Sequence, residues 1–265
     1  YSPDGQWLAT SSYDFTARVW DPSTGRLRHT LSGHDDKLQG LAVHPDGRRL
    51  VTCGSDETIR IWDALTGENL RVIRTDHRET IWSVVIDPDG RFLASGSADG
   101  CVKFWDPDTG EPLHNLNDHH REGFVELALS PDGRLLASAD GFDQSVQFWD
   151  VRDRVFRAGL RAPDSASWMV AFSPDGRSLA AGSEDGSIKI WEPRTSRELL
   201  TLPAHLKPVW RVAFSRDGRR LASSGMDRTV QVWDARPGPE LLHEGGTSEF
   251  VNSVAYHPNG RWLAV

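Results

Sequence analysis

Four segments of the chain place a histidine, a hydroxyl side chain, an aspartate and a tryptophan at nearly constant spacing. A hydroxyl beside an imidazole that a carboxylate orients is the arrangement of a nucleophilic triad. One catalytic site needs one such set, whereas a buried polar network copied in every structural repeat needs several and can use the indole N–H as well. The copying therefore favours four structural relays over four catalytic sites. The sets are His34, Thr52, Asp56 and Trp62; His77, Ser95, Asp99 and Trp105; His120, Ser138, Asp143 and Trp149; and His205, Ser223, Asp227 and Trp233.

Other catalytic or metal chemistry has little support in the sequence. The two cysteines, Cys53 and Cys101, and the adjacent His119 and His120 have none of the spacings of a zinc site. No glycine-rich segment has the phosphate-binding pattern of a nucleotide site. The sequence predicts no catalytic residue, no metal and no cofactor.

A repeat of about 42 residues organises the whole chain. Reverse turns of the type Pro-Asp-Gly end at seven glycines, and six tryptophans, five of them followed by Asp and one by Glu, recur at the same interval. One repeat contains four segments in which apolar residues either alternate with polar ones or follow one another, and turn residues separate the segments. The segments are residues 38–45, 50–53, 58–62 and 69–73. This pattern predicts four short β-strands in each repeat and no helix. The turn glycines are Gly5, Gly47, Gly90, Gly133, Gly176, Gly218 and Gly260, and the tryptophans are Trp20, Trp62, Trp105, Trp149, Trp191 and Trp233.

The period, the four strands and the Trp-Asp pairs resemble the WD40 repeat family over the whole chain, and in particular bacterial WD40 arrays. The resemblance implies an all-β propeller of four-stranded blades. It also implies one domain over residues 1–265, a fragment of a longer chain, with about six complete repeats and a partial one. We expect a seven-bladed ring with one incomplete blade, and a six-bladed ring is the alternative. The expected repeats are 1–31, 32–74, 75–117, 118–160, 161–202, 203–244 and 245–265.

Five further tryptophans fall outside the Trp-Asp series. Trp7 and Trp262 share a position in the second strand and are expected to pack between blades. Trp82, Trp168 and Trp210 share another position, at an expected bulge where the first strand starts. In WD40 proteins this position and two nearby ones usually contact partners at the top face, although three tryptophans could instead only fill the channel entrance. The expected partner-binding residues are Trp82, Trp168, Trp210, Tyr13, Phe142, Lys37, Gln39, Glu184, Met226 and Asn252.

Composition limits the function further. A formal net charge of −8 disfavours a nucleic-acid binder, and no apolar run is long enough for a membrane helix. The leading hypothesis is a non-catalytic scaffold that binds a protein or peptide, without nucleic acid, membrane or small-molecule substrate, in the cytoplasm. The alternative is a sensor or scaffold domain of a larger signalling enzyme such as a bacterial Ser/Thr kinase, which the resemblance suggests. An independent enzyme is a weaker third hypothesis.

Overall fold

The computed structural model describes residues 1–116, 123, 125–141, 145–153, 155–161, 167–235, 241–247 and 251–265, without the side chains of 161, 167 and 168. In these residues all regular structure is β. No helix there is long and apolar enough to cross a membrane. The chain divides into two compact units, Tyr1–Leu127 and Ala128–Val265.

The first unit contains three sheets, called blades 1 to 3. Blade 1 has three strands in the order β1-β2-β3, and blades 2 and 3 have four strands each, β4 to β7 and β8 to β11, in chain order. Neighbouring strands in these sheets are antiparallel, as expected for strands joined by short turns. The strands are β1 (Leu8–Ser11), β2 (Thr16–Trp20), β3 (Leu27–Ser32), β4 (Leu38–Val43), β5 (Arg49–Gly54), β6 (Thr58–Asp63), β7 (Asn69–Arg74), β8 (Ile81–Ile86), β9 (Leu93–Ser97), β10 (Val102–Trp105) and β11 (Pro112–Leu116).

The second unit begins within β12, the first strand of blade 4. Blades 4, 5 and 6 are four-stranded sheets, β12 to β15, β16 to β19 and β20 to β23, and a two-stranded hairpin, β24 and β25, follows them. The strands are β12 (Val125–Leu129), β13 (Leu135–Asp140), β14 (Ser145–Asp150), β15 (Val155–Arg161), β16 (Ser167–Phe172), β17 (Leu179–Ser183), β18 (Ser187–Glu192), β19 (Arg197–Pro203), β20 (Val209–Phe214), β21 (Arg220–Gly225), β22 (Thr229–Asp234), β23 (Leu241–Gly246), β24 (Ala255–Tyr256) and β25 (Leu263–Ala264).

The turn residues explain why the first two strands of a blade pair as they do. In blade 2 the Gly47 N–H donates to the His44 carbonyl oxygen at 3.0 Å, and Gly47 has a φ of +70°, which glycine adopts without strain. The Asp46 carboxylate accepts the backbone N–H groups of Arg48 and Arg49 at 2.8 and 3.0 Å. The turn therefore hydrogen-bonds its own backbone and starts β5 in register with β4.

The apolar cores of each unit lie between consecutive sheets. Trp7 and Leu31 of blade 1 pack with Leu50 and Trp62 of blade 2, and a second cluster joins blade 2 to blade 3. In the second unit similar clusters join blade 4 to blade 5, blade 5 to blade 6, and blade 6 to the hairpin. Burying one leucine of this kind stabilises a fold by about 1.5 to 3 kcal/mol. Within each unit, consecutive sheets thus share their buried apolar clusters.

Two expectations need correction. The described residues form six blades and not the predicted seven-bladed ring, because the repeat after blade 6 supplies only β24 and β25. Trp262 was expected to pack between blades like Trp7, yet it is 67% exposed while Trp7 is 1% exposed. The Trp7 indole N–H donates to the Gly47 carbonyl oxygen at 3.0 Å. The Trp262 indole makes no comparable hydrogen bond among the described residues.

Candidate functional site

Most of the described residues that are expected to bind a partner lie at one end of a blade. At this end, called the bulge end, the first strand starts, and a turn joins the second and third strands and contains an aspartate at the same position of each repeat. In three blades the residue before that aspartate donates its N–H to the residue two before the bulge. The bonds run from Ser55 to Lys37, Ala98 to Thr80 and Met226 to Pro208, each at 2.9 Å.

The expected bulge is present in four first strands. Ile81 pairs with Ser97, and Ser83 pairs with the next residue, Gly96. Trp82 between them is therefore the extra residue without a pairing partner in β9. The same shift leaves out Gln39 in β4, Trp168 in β16 and Trp210 in β20. A bulge bends its strand and re-aims the side chain of the extra residue. Trp82 and Trp210 are half-buried there, and the side chain of Trp168 lies outside the described part.

Blades 1 and 2 contribute an aromatic ring and a cation to the bulge end of the first unit. Tyr13, on the turn between β1 and β2, is 61% exposed. The Lys37 Nζ lies 5.5 Å from the centroid of its ring, within the range of a cation–π contact. Gln39 is half-buried, and its side-chain amide donates to Ser55 Oγ at 3.4 Å.

The other expected partner-binding residues are spread along the second unit. Glu184 and Asn252 are exposed, and Met226 is half-buried. Phe142 lies outside the described residues. The structure thus puts Tyr13 and Lys37 in contact.

The relay sets of blades 2 and 3 form complete hydrogen-bond chains. In blade 2 the His34 Nδ1–H donates to Asp56 at 2.8 Å, and Thr52 shares a 2.8 Å hydrogen bond with Nε2. The Trp62 indole N–H donates to the same hydroxyl oxygen at 2.9 Å. Because a carboxylate only accepts, Nδ1 carries the ring proton, so Nε2 accepts the hydroxyl proton.

The blade 3 relay has the same partners. His77 binds Asp99 at 3.0 Å and Ser95 at 2.9 Å, and the Trp105 N–H donates to Ser95 Oγ at 2.9 Å. Every polar atom of these side chains that is buried therefore has a partner, which is what burial requires.

Blade 6 departs from the predicted relay at its tryptophan. His205 binds Ser223 at 2.8 Å and Asp227 at 3.1 Å, but the buried Trp233 Nε1 has no hydrogen-bond partner among the residues that the structure describes. Trp233 is 8% exposed where Trp62 is 2% exposed, so the blade 6 indole is less enclosed. The prediction that Trp233 belongs to the hydrogen-bonded chain is wrong.

In blade 4 the Trp149 N–H donates to Ser138 Oγ at 3.0 Å. The remaining members of that set, His120 and Asp143, lie outside the described residues.

The relay carboxylates are held in their charged form. Burial raises the pKa of Asp56, but the hydrogen bond from His34 and two backbone N–H donors outweigh it and lower the pKa to about 2. The same balance, with His77 as the partner, holds the pKa of Asp99 below its usual value. Burial lowers the pKa of His205, and the Asp227 charge opposes that shift without reversing it. In the blade 6 relay, His205 is therefore a neutral imidazole beside the charged carboxylate of Asp227.

Comparison with known proteins decides the family. A model described as the IFT122 first beta-propeller matches residues 63–265, and one described as WD domain, G-beta repeat, matches residues 1–21 and 25–63. The chain belongs to this family of WD-repeat β-propellers. It is also similar to the nuclear distribution protein PAC1 of Mycosarcoma maydis, at 50% identity over 38 residues, which is 14% of this chain and 8% of that protein. Because the match spans so little of PAC1, it supports the repeat and no shared activity.

The geometry limits what the propeller relays can do chemically. Ser95 and Ser223 have no exposed surface, and their hydroxyls already donate to an imidazole. A nucleophile has to reach a substrate carbonyl, which these oxygens cannot do without opening the sheet. Among the described residues no group of three or more His, Cys, Asp or Glu side chains could hold a metal ion.

Sequence reasoning missed one propeller residue at the bulge end. Leu206 is 95% exposed, and its backbone N–H donates to Asp227 at 2.9 Å. Asp35 and Arg78 make the equivalent backbone bond in blades 2 and 3. The sequence did contain a signal for Leu206, because the other two blades have a charged residue at the same repeat position.

Proposed function

We propose that this propeller is a non-catalytic scaffold that binds a protein or peptide at the bulge ends of its blades. The observation that carries the proposal is the placing of Trp82 and Trp210 at strand bulges, where each indole is only half-buried. A core tryptophan of the same protein, such as Trp62, is almost fully buried. Membership of the WD-repeat family supports the same role.

Tryptophan is suited to this role because it buries a large area with few rotatable bonds. Residues that dominate binding energy are enriched in Trp, Tyr and Arg and are well packed rather than loosely exposed. A half-buried indole on a bulge is held by its own fold and still offers surface to a partner. The net charge of −8 argues against a polyphosphate partner.

The test uses a peptide selected by the wild-type protein from a displayed library of random short peptides. We expect Trp210→Ala to weaken binding of that peptide at least about tenfold, since truncating such an anchor costs ~2 kcal/mol or more. The melting temperature should stay close to that of the wild type. If Trp210 instead serves only packing, the same change should create a cavity that costs ~3 to 5 kcal/mol.

The matched control is Trp262→Ala. Trp262 follows the Asn259-Gly260 turn, at the opposite end of its hairpin from the bulge end, and is 67% exposed. It should leave affinity unchanged. Equal affinities for Trp210→Ala and the wild type, or a library that yields no binding peptide, would contradict the proposed function.

No feature of the described residues favours a fused Ser/Thr kinase. The bacterial resemblance and the cytoplasmic location stay predictions.

A further inference from the structure

The contact between Tyr13 and Lys37 shows that this ring face accepts a cation. The ring is largely exposed, and the ammonium lies 5.5 Å from its centroid. The two segments are held together by the backbone, because the Leu38 N–H donates to the Ser12 carbonyl oxygen at 3.4 Å. The Lys37 N–H is fixed in turn by Asp36 Oδ1 at 2.7 Å. The backbone is therefore positioned while the lysine side chain remains exposed.

The surroundings of this contact are acidic. Asp35 and Asp36 precede Lys37 directly, and Glu57 lies on the turn whose Ser55 N–H binds the Lys37 carbonyl oxygen. Asp14 also lies beside Tyr13, but Arg18 pairs with it at 2.6 Å.

Asp56 completes the acidic residues of this turn, and it is engaged by His34 in the relay. The other three carboxylates, named above, have no basic partner among the described residues and outnumber Lys37.

We propose that the Tyr13 ring face is the docking point for a basic side chain of a partner peptide, and that Lys37 occupies this face until the partner arrives. The proposal rests on the proposed function and names the chemistry of the partner at this part of the bulge end. An arginine can stack on the ring with its planar guanidinium, whereas lysine offers a compact, strongly hydrated ammonium on a flexible stem. Asp35, Asp36 and Glu57 would attract the incoming cation and repel an acidic peptide.

The probe is again a displayed library of random short peptides, selected separately on four proteins. These are the wild type, Tyr13→Phe, Tyr13→Leu and Lys37→Met. We expect Arg or Lys to be enriched by the wild type and by Tyr13→Phe, which keeps the aromatic face. Tyr13→Leu keeps apolar volume without that face and should lose the enrichment.

Affinities for one selected peptide make the test quantitative. Replacing its basic residue with Gln should weaken binding to the wild type about two- to fivefold, the size of an exposed cation–π contact, and should have no effect on Tyr13→Leu. Lys37→Met removes the internal competitor, so it should bind the basic peptide more tightly than the wild type does. The two substituted side chains, Tyr13 and Lys37, are on the surface, and equal melting temperatures would confirm that the variants are folded.

The outcomes separate this proposal from the one on which it rests. Enrichment of acidic residues, weaker binding by Lys37→Met, or an unchanged basic preference in Tyr13→Leu would overturn the basic-anchor proposal and leave the scaffold function standing. A wild-type protein that selects no peptide at all would overturn the scaffold function and this proposal with it.

Discussion

Removing the carboxylate of the blade 3 relay should destabilise the protein by an amount that the structure allows us to work out. Asp99 accepts the His77 imidazole N–H and the backbone N–H groups of Arg78 and Cys101, each at 3.0 Å. The His77 side chain has no exposed surface, so water cannot replace that acceptor while the blade is folded. Arg78 is exposed, and water can reach its backbone N–H.

The cost of Asp99→Ala is therefore set mainly by one buried imidazole donor. Leaving a buried donor unsatisfied costs ~1 to 3 kcal/mol, and hydrogen bonds to charged acceptors lie in the upper part of this range. We expect a loss of about 2 to 3 kcal/mol in the free energy of unfolding. Asp99→Asn keeps an oxygen that can accept the imidazole proton and should cost less.

The matched control is Asp185→Ala in blade 5. Asp185 occupies the same turn position, and its carboxylate accepts the Ser187 N–H at 2.8 Å. That repeat has Pro163 at the histidine position and Ala181 at the hydroxyl position, so it contains no relay histidine. Urea unfolding followed by circular dichroism would compare the midpoints of all three variants. Equal losses for Asp99→Ala and Asp185→Ala would refute the relay reasoning, as would an Asp99→Ala protein as stable as the wild type.

Two other predictions concern stability. Trp7→Ala should lower the free energy of unfolding by ~3 to 5 kcal/mol, because it leaves a cavity beside Gly47. Trp262→Ala, at the same repeat position, should change the melting temperature little. Equal shifts of the melting temperature in a thermal scan would contradict the packing of Trp7 between sheets. Because His34 and neighbouring donors lower the pKa of Asp56 from 3.8 to about 2, its contribution to stability is present above pH 4 and is lost as the pH falls towards 2. Acid unfolding of Asp56→Asn should show a smaller decline over that window, and an unchanged decline would assign the acid sensitivity to other groups.

Local chemistry made much of the fold readable from the sequence. The predicted strand 58–62 is β6, Thr58–Asp63, and the predicted strand 69–73 is β7, Asn69–Arg74. These agree because side-chain alternation and turn glycines act within a few residues of the chain. The bulge was predictable for the same reason, since an apolar alternation with one extra residue signals it.

The candidate site was only partly predictable. The sequence shows that Trp82 and Trp210 share a repeat position, and it predicts a strand bulge at that position. Their half-buried state depends on how neighbouring strands enclose each ring, which spacing does not specify. The cation–π contact of Tyr13 with Lys37 depends on two segments 24 residues apart.

The sequence by itself determined the repeat, the all-β strand pattern and the partners within the relays of blades 2 and 3, because all of these depend on short-range spacing. Only the tertiary structure decided which equivalent residues share an environment. Trp7 and Trp262 have the same repeat position, but only Trp7 has an adjacent sheet that supplies an acceptor and an apolar surface. Trp62 and Trp233 likewise share a motif, and only the Trp62 indole reaches a hydroxyl. Burial and hydrogen bonding depend on what the next blade places against a side chain, and a one-dimensional period carries no information about that.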